Sequence, residues 1–543
     1  MENHSWEQIP EMSVYSFLEH SARQHEDKNA ITFYGRKFSF ADIFRMIDEI
    51  AKALVAHGIQ KDDVVAASLP GMAEGICLIY AINKIGAIYC AFDCRAKNEE
   101  IKETMATFRP KLCIVPNFQM AEFRDITDCP IVYVSPIHSL GIIEKGYSLV
   151  ANTFTGRYAV CARNRQIISF HKFMAKAKTV EHYEQAESSS GIFGYFYTSG
   201  TTYGRKSVML SNRNINAAVI IQRDAHPGIV PGEVLLNIMP LFTCYSVTLA
   251  MHLPFICGVG IQLIPLLDPK KMKDVLLQTK PNYMITVPAH WEYFAQESFD
   301  GCDLSFLKLI IVGGDTMKPE FREKLTGIFQ ATGAGDPLHV GYGLTETAST
   351  AVAAVGDPPV ASVGKALPFM ELAICDPDTK QVLPVGEEGE ICIWGPTVCR
   401  GYYNDQEATD RLLKTHEDGK LWLHSGDRGY LDETGALYFC ERYKRMYVRF
   451  DGTKVSPYSI EQGIAECPIV ENVLVVAITD TDHSHGKCPK AYIVLKEGTD
   501  AKNAEDVIRK HCKKHMDQHM QPTQIVITDK LPHTKNGKLR YFE

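Results

Sequence analysis

Tyr197-Thr198-Ser199-Gly200-Thr201-Thr202-Tyr203-Gly204-Arg205-Lys206-Ser207 sets hydroxyl side chains, two glycines and two cations in eleven residues. The apolar run Ile192-Phe193-Gly194-Tyr195-Phe196 leads into it, and Ser211-Asn212-Arg213-Asn214 behind it reads as a polar turn. This predicts a strand feeding a tight loop whose backbone N–H groups and hydroxyls can wrap a phosphate. A Walker loop has four residues between its glycines and a lysine directly after the second. Here three residues separate Gly200 from Gly204, and Arg205 stands before Lys206. The loop therefore has phosphate-binding chemistry in a different pattern.

Outward from this loop, strand and helix patterns alternate. Val14–Gln24 and Asp42–Gly58 have helical spacing, with Ala30–Tyr34 and Lys37–Phe40 as a hairpin between them. Val64–Leu69, Ala87–Ala91, Leu112–Val115, Ile131–Val134, Tyr283–Pro288 and Leu309–Gly314 read as buried strands, with a helix from Met72 to Ile85. Such alternation predicts parallel sheet covered by helices. From Val363 to Gly395 the pattern changes to short strands with Gly/Pro turns. The last hundred residues read as a small separate unit. Its strands are Asn472–Thr479, Ala491–Leu495 and Gln524–Ile527, and its helix is Ala504–Met516. The charged run Glu441-Arg442-Tyr443-Lys444-Arg445 marks the junction. The expected fold class is α/β: a large N-terminal domain (1–441) of parallel α/β subdomains plus a β-rich subdomain, then a small α+β C-terminal domain (442–543).

A chain of 543 residues is too long for a single core. A net charge of −8 argues against a nucleic-acid partner, which calls for a basic surface. The polar, acidic start Met1–Glu7 lacks the features of a secretory signal, and sixteen cysteines without a C-x-x-C fit reduced thiols. A cytoplasmic location is the expectation. Val234–Leu267 contains no Asp, Glu, Lys or Arg, yet Pro240, Pro254, Pro265, Gly258 and Gly260 interrupt it, so it predicts a buried strand, a loop and a core helix and no membrane span. His511, His515 and His519 fall at helical spacing, which reads as the exposed face of a Lys-rich helix before it reads as a metal site.

Four elements occur in one order: Tyr197–Thr202; Gly341-Tyr342-Gly343-Leu344-Thr345-Glu346-Thr347; Ser425-Gly426-Asp427; and Pro532-His533-Thr534-Lys535-Asn536-Gly537-Lys538. With Gly389–Pro396 and Gly401-Tyr402-Tyr403 between them, the chain resembles the adenylate-forming superfamily, which comprises acyl- and aryl-CoA synthetases, luciferases and the adenylation domains of peptide synthetases. The likeness covers essentially the full length. It implies that a carboxylate attacks the α-phosphate of ATP, and that a thiol then takes the acyl group from acyl-AMP.

The resemblance also implies roles for residues. Ser199, Thr201 and Thr202 would cradle the β- and γ-phosphates, with Lys206 adding charge, and Thr198 and Gly200 would bind the nucleotide beside them. Gly314, Tyr342 and Gly343 would hold the nucleotide, Tyr342 by stacking on adenine, and Thr345 the α-phosphate. Glu346 would ligate Mg²⁺, although it could also cap a helix behind it. Asp427 would bind both ribose hydroxyls and Arg442 would lie near the nucleotide. Lys538 would be the mobile catalytic lysine, and Lys444 the hinge on which the small domain turns. Phe242, Thr243 and Gly341 would line the acyl pocket.

The chain departs from the family's pattern at Tyr203, Arg205 and Ser207 in the phosphate loop, and at Glu441, where glycine normally precedes Arg442. Amino-acid-activating members place an Asp after the pocket's Phe to pair with the substrate ammonium. Here Thr243 follows Phe242, no acid occurs between Val234 and Leu267, and an unpaired buried ammonium costs several kcal/mol. The expected enzyme is an acid–thiol ligase: ATP and Mg²⁺ activate a fatty or aryl acid, and CoA accepts it. The alternatives are a stand-alone enzyme loading the phosphopantetheine of an acyl or peptidyl carrier protein, and a catalytically degenerate nucleotide-binding relative.

Overall fold

The structure is a computed structural model. It describes residues 6–541 apart from 124, 127–128, 136–166, 199–204, 266, 357, 450, 452, 482–485 and 534–538. Ser199, Gly200, Thr201, Thr202 and Lys538 thus lie outside the described residues. The chain groups into two compact units, 1–372 with 393–423, and 373–392 with 424–543.

The first unit holds two largely parallel sheets. One runs in the order Ile167–Ser169, Ile131–Val134, Leu112–Pro116, Val64–Ala67, Ile88–Ala91, Ile192–Tyr197 and Ser207–Ser211. Only the last pair is antiparallel, with Tyr197 opposite Ser207. The other sheet runs from Arg36–Ser39 through Asn29–Phe33, Gly260–Leu263, Val234–Asn237, Tyr283–Thr286 and Leu309–Val312 to Leu338–Tyr342. The central strands are short, apolar and buried, as parallel strands under helices must be, while the antiparallel edge strand Arg36–Ser39 exposes Arg36 and Lys37. Phe92, Phe108, Phe123 and Tyr195 fill the core of the first sheet, and Trp291, Phe294 and Phe329 that of the second.

Local chemistry starts and stops the elements as expected. Helix Phe40–Ala56 begins at a capping box, with the Asp42 N–H donating to Ser39 Oγ at 3.1 Å and the Ser39 N–H donating to Asp42 Oδ2 at 3.0 Å. It buries Ile43, Phe44, Ile47, Ile50 and Leu54 and stops before Gly58, whose φ of +82° suits glycine. One reading changes. Ser211–Asn214 is not a free turn but the start of helix Asn212–Ala225, with Ser211 and Asn214 as a second capping box. A polar Ser-x-x-Asn run looks alike in both settings; the strand Ser207–Ser211 in front of it decides which one forms.

The uncharged stretch folds as strand Val234–Asn237, π-helix Ser246–His252, a short helix Leu253–Ile256 and strand Gly260–Leu263. His252 is fully buried on the π-helix. Its Nδ1 accepts from the Tyr80 hydroxyl at 3.0 Å, and its Nε2–H donates to Asn216 Oδ1 at 3.2 Å. Among the described residues no helix is long and apolar enough to cross a membrane.

Burial pushes the imidazoles of His226, His252 and His290 down to about 4, 3 and 4. Each therefore folds neutral, while the unfolded chain takes up a proton near pH 6.5. The stability they contribute is complete above that pH and is lost as pH falls toward their folded values. The expected slope is about 1.4 kcal/mol per pH unit for each histidine inside this window. Urea denaturation at stepped pH from 7 to 4.5 measures it, and His252→Asn should flatten the profile. A slope indifferent to that substitution rejects the assignment.

The second unit contains the three-stranded sheet Val470–Thr479, Lys487–Leu495 and Gln524–Ile527, which includes the three strands read from the sequence. Ile460, Val475 and Ile508 lie in its core. Helix Ala501–His515 ends before His519, which sits in a separate turn, Gln518–Met520. The three histidines therefore do not share one helix, and His511 Nε2 lies 3.0 Å from the Gly463 carbonyl. Strand Ala436–Arg442 pairs antiparallel with Leu421–Leu431, placing Arg442 opposite Asp427.

Candidate active site

The residues on either side of 199–204, the stretch expected to bind phosphate, are tied to each other. The Thr198 N–H donates to the Lys206 carbonyl at 2.9 Å, one step beyond the Tyr197–Ser207 pair. Arg205, which departs from the family's pattern, reaches Glu100 of helix Asn98–Phe108 at 2.7 Å. Ser207 is buried at the start of its strand. Two of the three departures thus have structural roles at the loop's exit, and Tyr203 lies outside the described residues.

Strand Leu338–Tyr342 delivers the second motif. A Cβ on Gly343 would come within 2.6 Å of the Ser349 backbone, so only glycine fits where the chain folds back. Ala348 and Ser349 hold φ of +47° and +71°, and the Ser349 N–H donates to the Leu344 carbonyl at 2.8 Å. Strain of this kind, of order 1 kcal/mol per residue, concentrates at working loops. Thr345–Thr347 forms a single 3₁₀ turn. Leu344 is its N-cap, and the Leu344 N–H donates to Thr347 Oγ1 at 3.0 Å. Glu346 is not the cap; its Oε1 accepts from the Tyr402 hydroxyl at 2.7 Å.

Tyr402 also carries Lys206, whose Nζ lies 4.6 Å from the ring centroid. The structure thus brings Lys206 and Glu346 onto one aromatic side chain. Sequence reading placed Tyr402 in a motif without giving it a role, because nothing local links it to residues so distant in the chain.

Nearby, Gly314 holds φ of +80°, and a Cβ on Gly313 would stand 3.3 Å from the Gly341 carbonyl and the Tyr245 hydroxyl. Tyr245 donates toward the carbonyls of Thr286 and Ile311 at 3.2 and 3.3 Å, spanning two strand ends. Thr243 is engaged locally: its hydroxyl donates to the Pro240 carbonyl at 3.1 Å and accepts from the Ser246 N–H at 3.2 Å. Phe242 is half-buried, with the Arg95 guanidinium 5.8 Å from its ring centroid. Burial pushes the Cys244 thiol up to about 11, so it stays protonated and unreactive.

The second unit carries the other group. Asp427 is 1% exposed, its Oδ1 lies 3.3 Å from Arg442 Nε, and its N–H donates to Ser425 Oγ at 3.0 Å. Gly426 ahead of it has φ of +70° and donates its N–H to Glu390 Oε1 at 3.1 Å. Glu390 also accepts from buried His424 at 2.8 Å. Lys444 is exposed in the turn Tyr443–Arg445.

Glu441, which replaces the family's glycine, is fully buried. It pairs with Arg428 at 3.2 Å and accepts from the Ser456 hydroxyl and from the Tyr458 N–H at 3.4 Å. Ser456 is the N-cap of helix Pro457–Ala465, so this carboxylate ties the strand before Lys444 to the helix after it. Burying a carboxylate requires such partners, and here an ion pair and two donors supply them.

Residues 18–403 match the AMP-binding enzyme family, and residues 459–538 match the AMP-binding enzyme C-terminal domain. The chain belongs to the AMP-binding enzyme family. It is 26% identical to a long-chain-fatty-acid–CoA ligase of Bacillus subtilis (strain 168), over 98% of this chain and 94% of that protein. It is also 26% identical to 4-coumarate–CoA ligase-like 9 of Oryza sativa subsp. japonica, over 97% and 91%. In fold it is similar to ATP-bound MatB from Rhodopseudomonas palustris, with a TM-score of 0.77 and 22% identity over 97% of both chains. It is similar also to the anthranilate CoA ligase AuaEII in complex with anthranoyl-AMP, with a TM-score of 0.78 and 21% identity over 98% and 97%. The two solved structures share the chain's α/β fold.

Proposed function

We propose that this AMP-binding enzyme is an acid–CoA ligase for a fatty or aryl carboxylic acid. A carboxylate oxygen attacks the α-phosphorus of ATP, the bond to the bridging oxygen breaks, and pyrophosphate leaves. The thiolate sulfur of CoA then attacks the acyl carbonyl, the bond to the phosphate oxygen breaks, and AMP leaves. The observation that carries this reading is the joining of Lys206 and Glu346 through Tyr402, within a chain that matches the family along both of its parts.

Glu346 fits a magnesium ion as donor chemistry: one carboxylate beside phosphate oxygens is this ion's ordinary protein share. When bound, Mg²⁺ supplies charge neutralisation on the phosphates. The chain's own residues do the rest by positioning. Lys206 adds positive charge at the loop exit, Tyr342 and Gly343 shape the nucleotide seat, and Asp427 with Arg442 holds the ribose side. Lys538 brings a compact charge to the attacking carboxylate, and 442–543 turns at Lys444 between the two half-reactions. A neutral Val234–Leu267 stretch favours an acid without an α-ammonium.

Pyrophosphate release over a panel of fatty, aryl and amino acids, with and without CoA, tests the reading. Release with fatty or aryl acids and a CoA-dependent thioester product are expected. Silence with every acid would leave only the degenerate nucleotide-binding reading. Release without any CoA thioester would turn the acceptor to a carrier protein.

A further inference from the structure

The geometry points to Tyr402 as a positioning residue that holds the Glu346 carboxylate for the metal ion and links it to Lys206. This rests on the ATP- and magnesium-dependent reading above and adds a residue to it. The Tyr402 hydroxyl donates to Glu346 Oε1 at 2.7 Å, which occupies one carboxylate oxygen and leaves Oε2 for a cation. A donor to a ligating carboxylate fixes its rotamer, and loss of such outer partners typically lowers metal affinity 10–100-fold.

Tyr402 is itself held. It is 7% exposed, and its N–H donates to Thr409 Oγ1 at 2.9 Å. Residues 399–403 stitch the two motif loops together by main-chain bonds. The Cys399 N–H donates to the Glu346 carbonyl at 2.8 Å, the Met209 N–H to the Gly401 carbonyl at 2.9 Å, and the Tyr403 N–H to the Ser207 carbonyl at 2.8 Å. Gly401, at φ +105° and packed against Thr409, allows the segment its path. The tyrosine therefore stands on a segment fixed to both loops. Its hydroxyl serves one and its ring, 4.6 Å from Lys206 Nζ, serves the other. One residue can thus make the pyrophosphate-side charge and the metal-side charge act at a set separation.

The two halves of Tyr402 can be separated experimentally. Tyr402→Phe keeps the ring under Lys206 and removes the hydroxyl; Tyr402→Leu removes both. Equilibrium binding of ATP by calorimetry, in excess Mg²⁺ and in EDTA, reads the coupling between nucleotide and metal without turnover. The Mg²⁺-dependent tightening of ATP binding should fall about 10-fold in Tyr402→Phe, while binding in EDTA stays at the parent value. Tyr402→Leu should also weaken ATP binding in EDTA. Thr409→Val loosens the segment and leaves the hydroxyl in place, so it should lower the melting temperature with the Mg²⁺ effect intact. Parent-like coupling in Tyr402→Phe overturns the inference. An equal loss of coupling in Thr409→Val also overturns it, since the effect would then belong to the segment. If Tyr402→Phe does not fold, Thr409→Val together with Tyr402→Leu decides by the same comparison. A parent protein that binds no ATP in either buffer fails the functional reading instead.

Discussion

Lys538→Ala should abolish acyl-AMP formation, with pyrophosphate release falling by about 10³-fold, the scale of removing one preorganised charge from a developing anion. Thioester formation from supplied acyl-AMP and CoA should stay within a few-fold of the parent. The asymmetry follows from the two half-reactions. The first brings a carboxylate anion against a polyanionic phosphate and needs a cation between them. The second brings a thiolate to an acyl carbon and leaves the α-phosphate as it was. Single-turnover measurement of each half separates them, and equal loss in both would contradict a lysine that serves only one arrangement of the small domain. Lys538→Arg should not rescue fully, because a planar guanidinium cannot replace a compact ammonium at a narrow gap.

The second large effect is expected at Asp427. Asp427→Ala should raise the KM for ATP by about 10²-fold, as the loss of two charge-assisted hydrogen bonds to the ribose implies. The KM for the acid should change little. Stability should fall less than activity, because the ion-pair partner Arg442 is 55% exposed and water can take over its solvation. Asp427→Asn keeps one acceptor and should lie between. ATP and 2′-deoxy-ATP compared on all three proteins checks the assignment. If the parent prefers neither nucleotide, the carboxylate does not read the 2′-hydroxyl.

Much of the fold was legible because local physics repeats. Apolar runs between turn residues read as the parallel strands, and helical spacing read Asp42–Gly58 as the helix observed at Phe40–Ala56, whose start the Ser39–Asp42 capping box fixes two residues earlier. The final strand Gln524–Ile527 was read with its observed limits, since a short β-branched apolar run and the residues flanking it agree there. Ser211–Asn214 failed because a cap and a turn have the same composition. The histidine series failed because periodicity does not say where a helix ends, and Met516, the cap residue, leaves the helix with φ −128° and ψ 145°.

Within the candidate site the same division holds. Residue types and spacing predicted a phosphate-binding loop, and the resemblance to the adenylate-forming superfamily is what proposed Glu346 for the metal, Asp427 for the ribose and Lys538 as the mobile lysine. The partners that hold them depend on which distant strands lie side by side. Arg428 and the buried Glu441 become an ion pair only through the cross-strand register of Leu421–Leu431 and Ala436–Arg442. Thr243, read as a pocket residue, proves to have its hydroxyl bound within its own turn.

The sequence by itself determined the α/β class, through the periodicity of its strands and helices, and pointed to the family, through the order of its four motifs. Only the tertiary structure decided that Tyr402 joins Glu346 to Lys206, that Glu441 is buried among donors, and that His252 is sealed neutral between Tyr80 and Asn216. Each of these is a hydrogen bond or ring contact between segments far apart in the chain. Such contacts are set by packing geometry, and no local pattern encodes them.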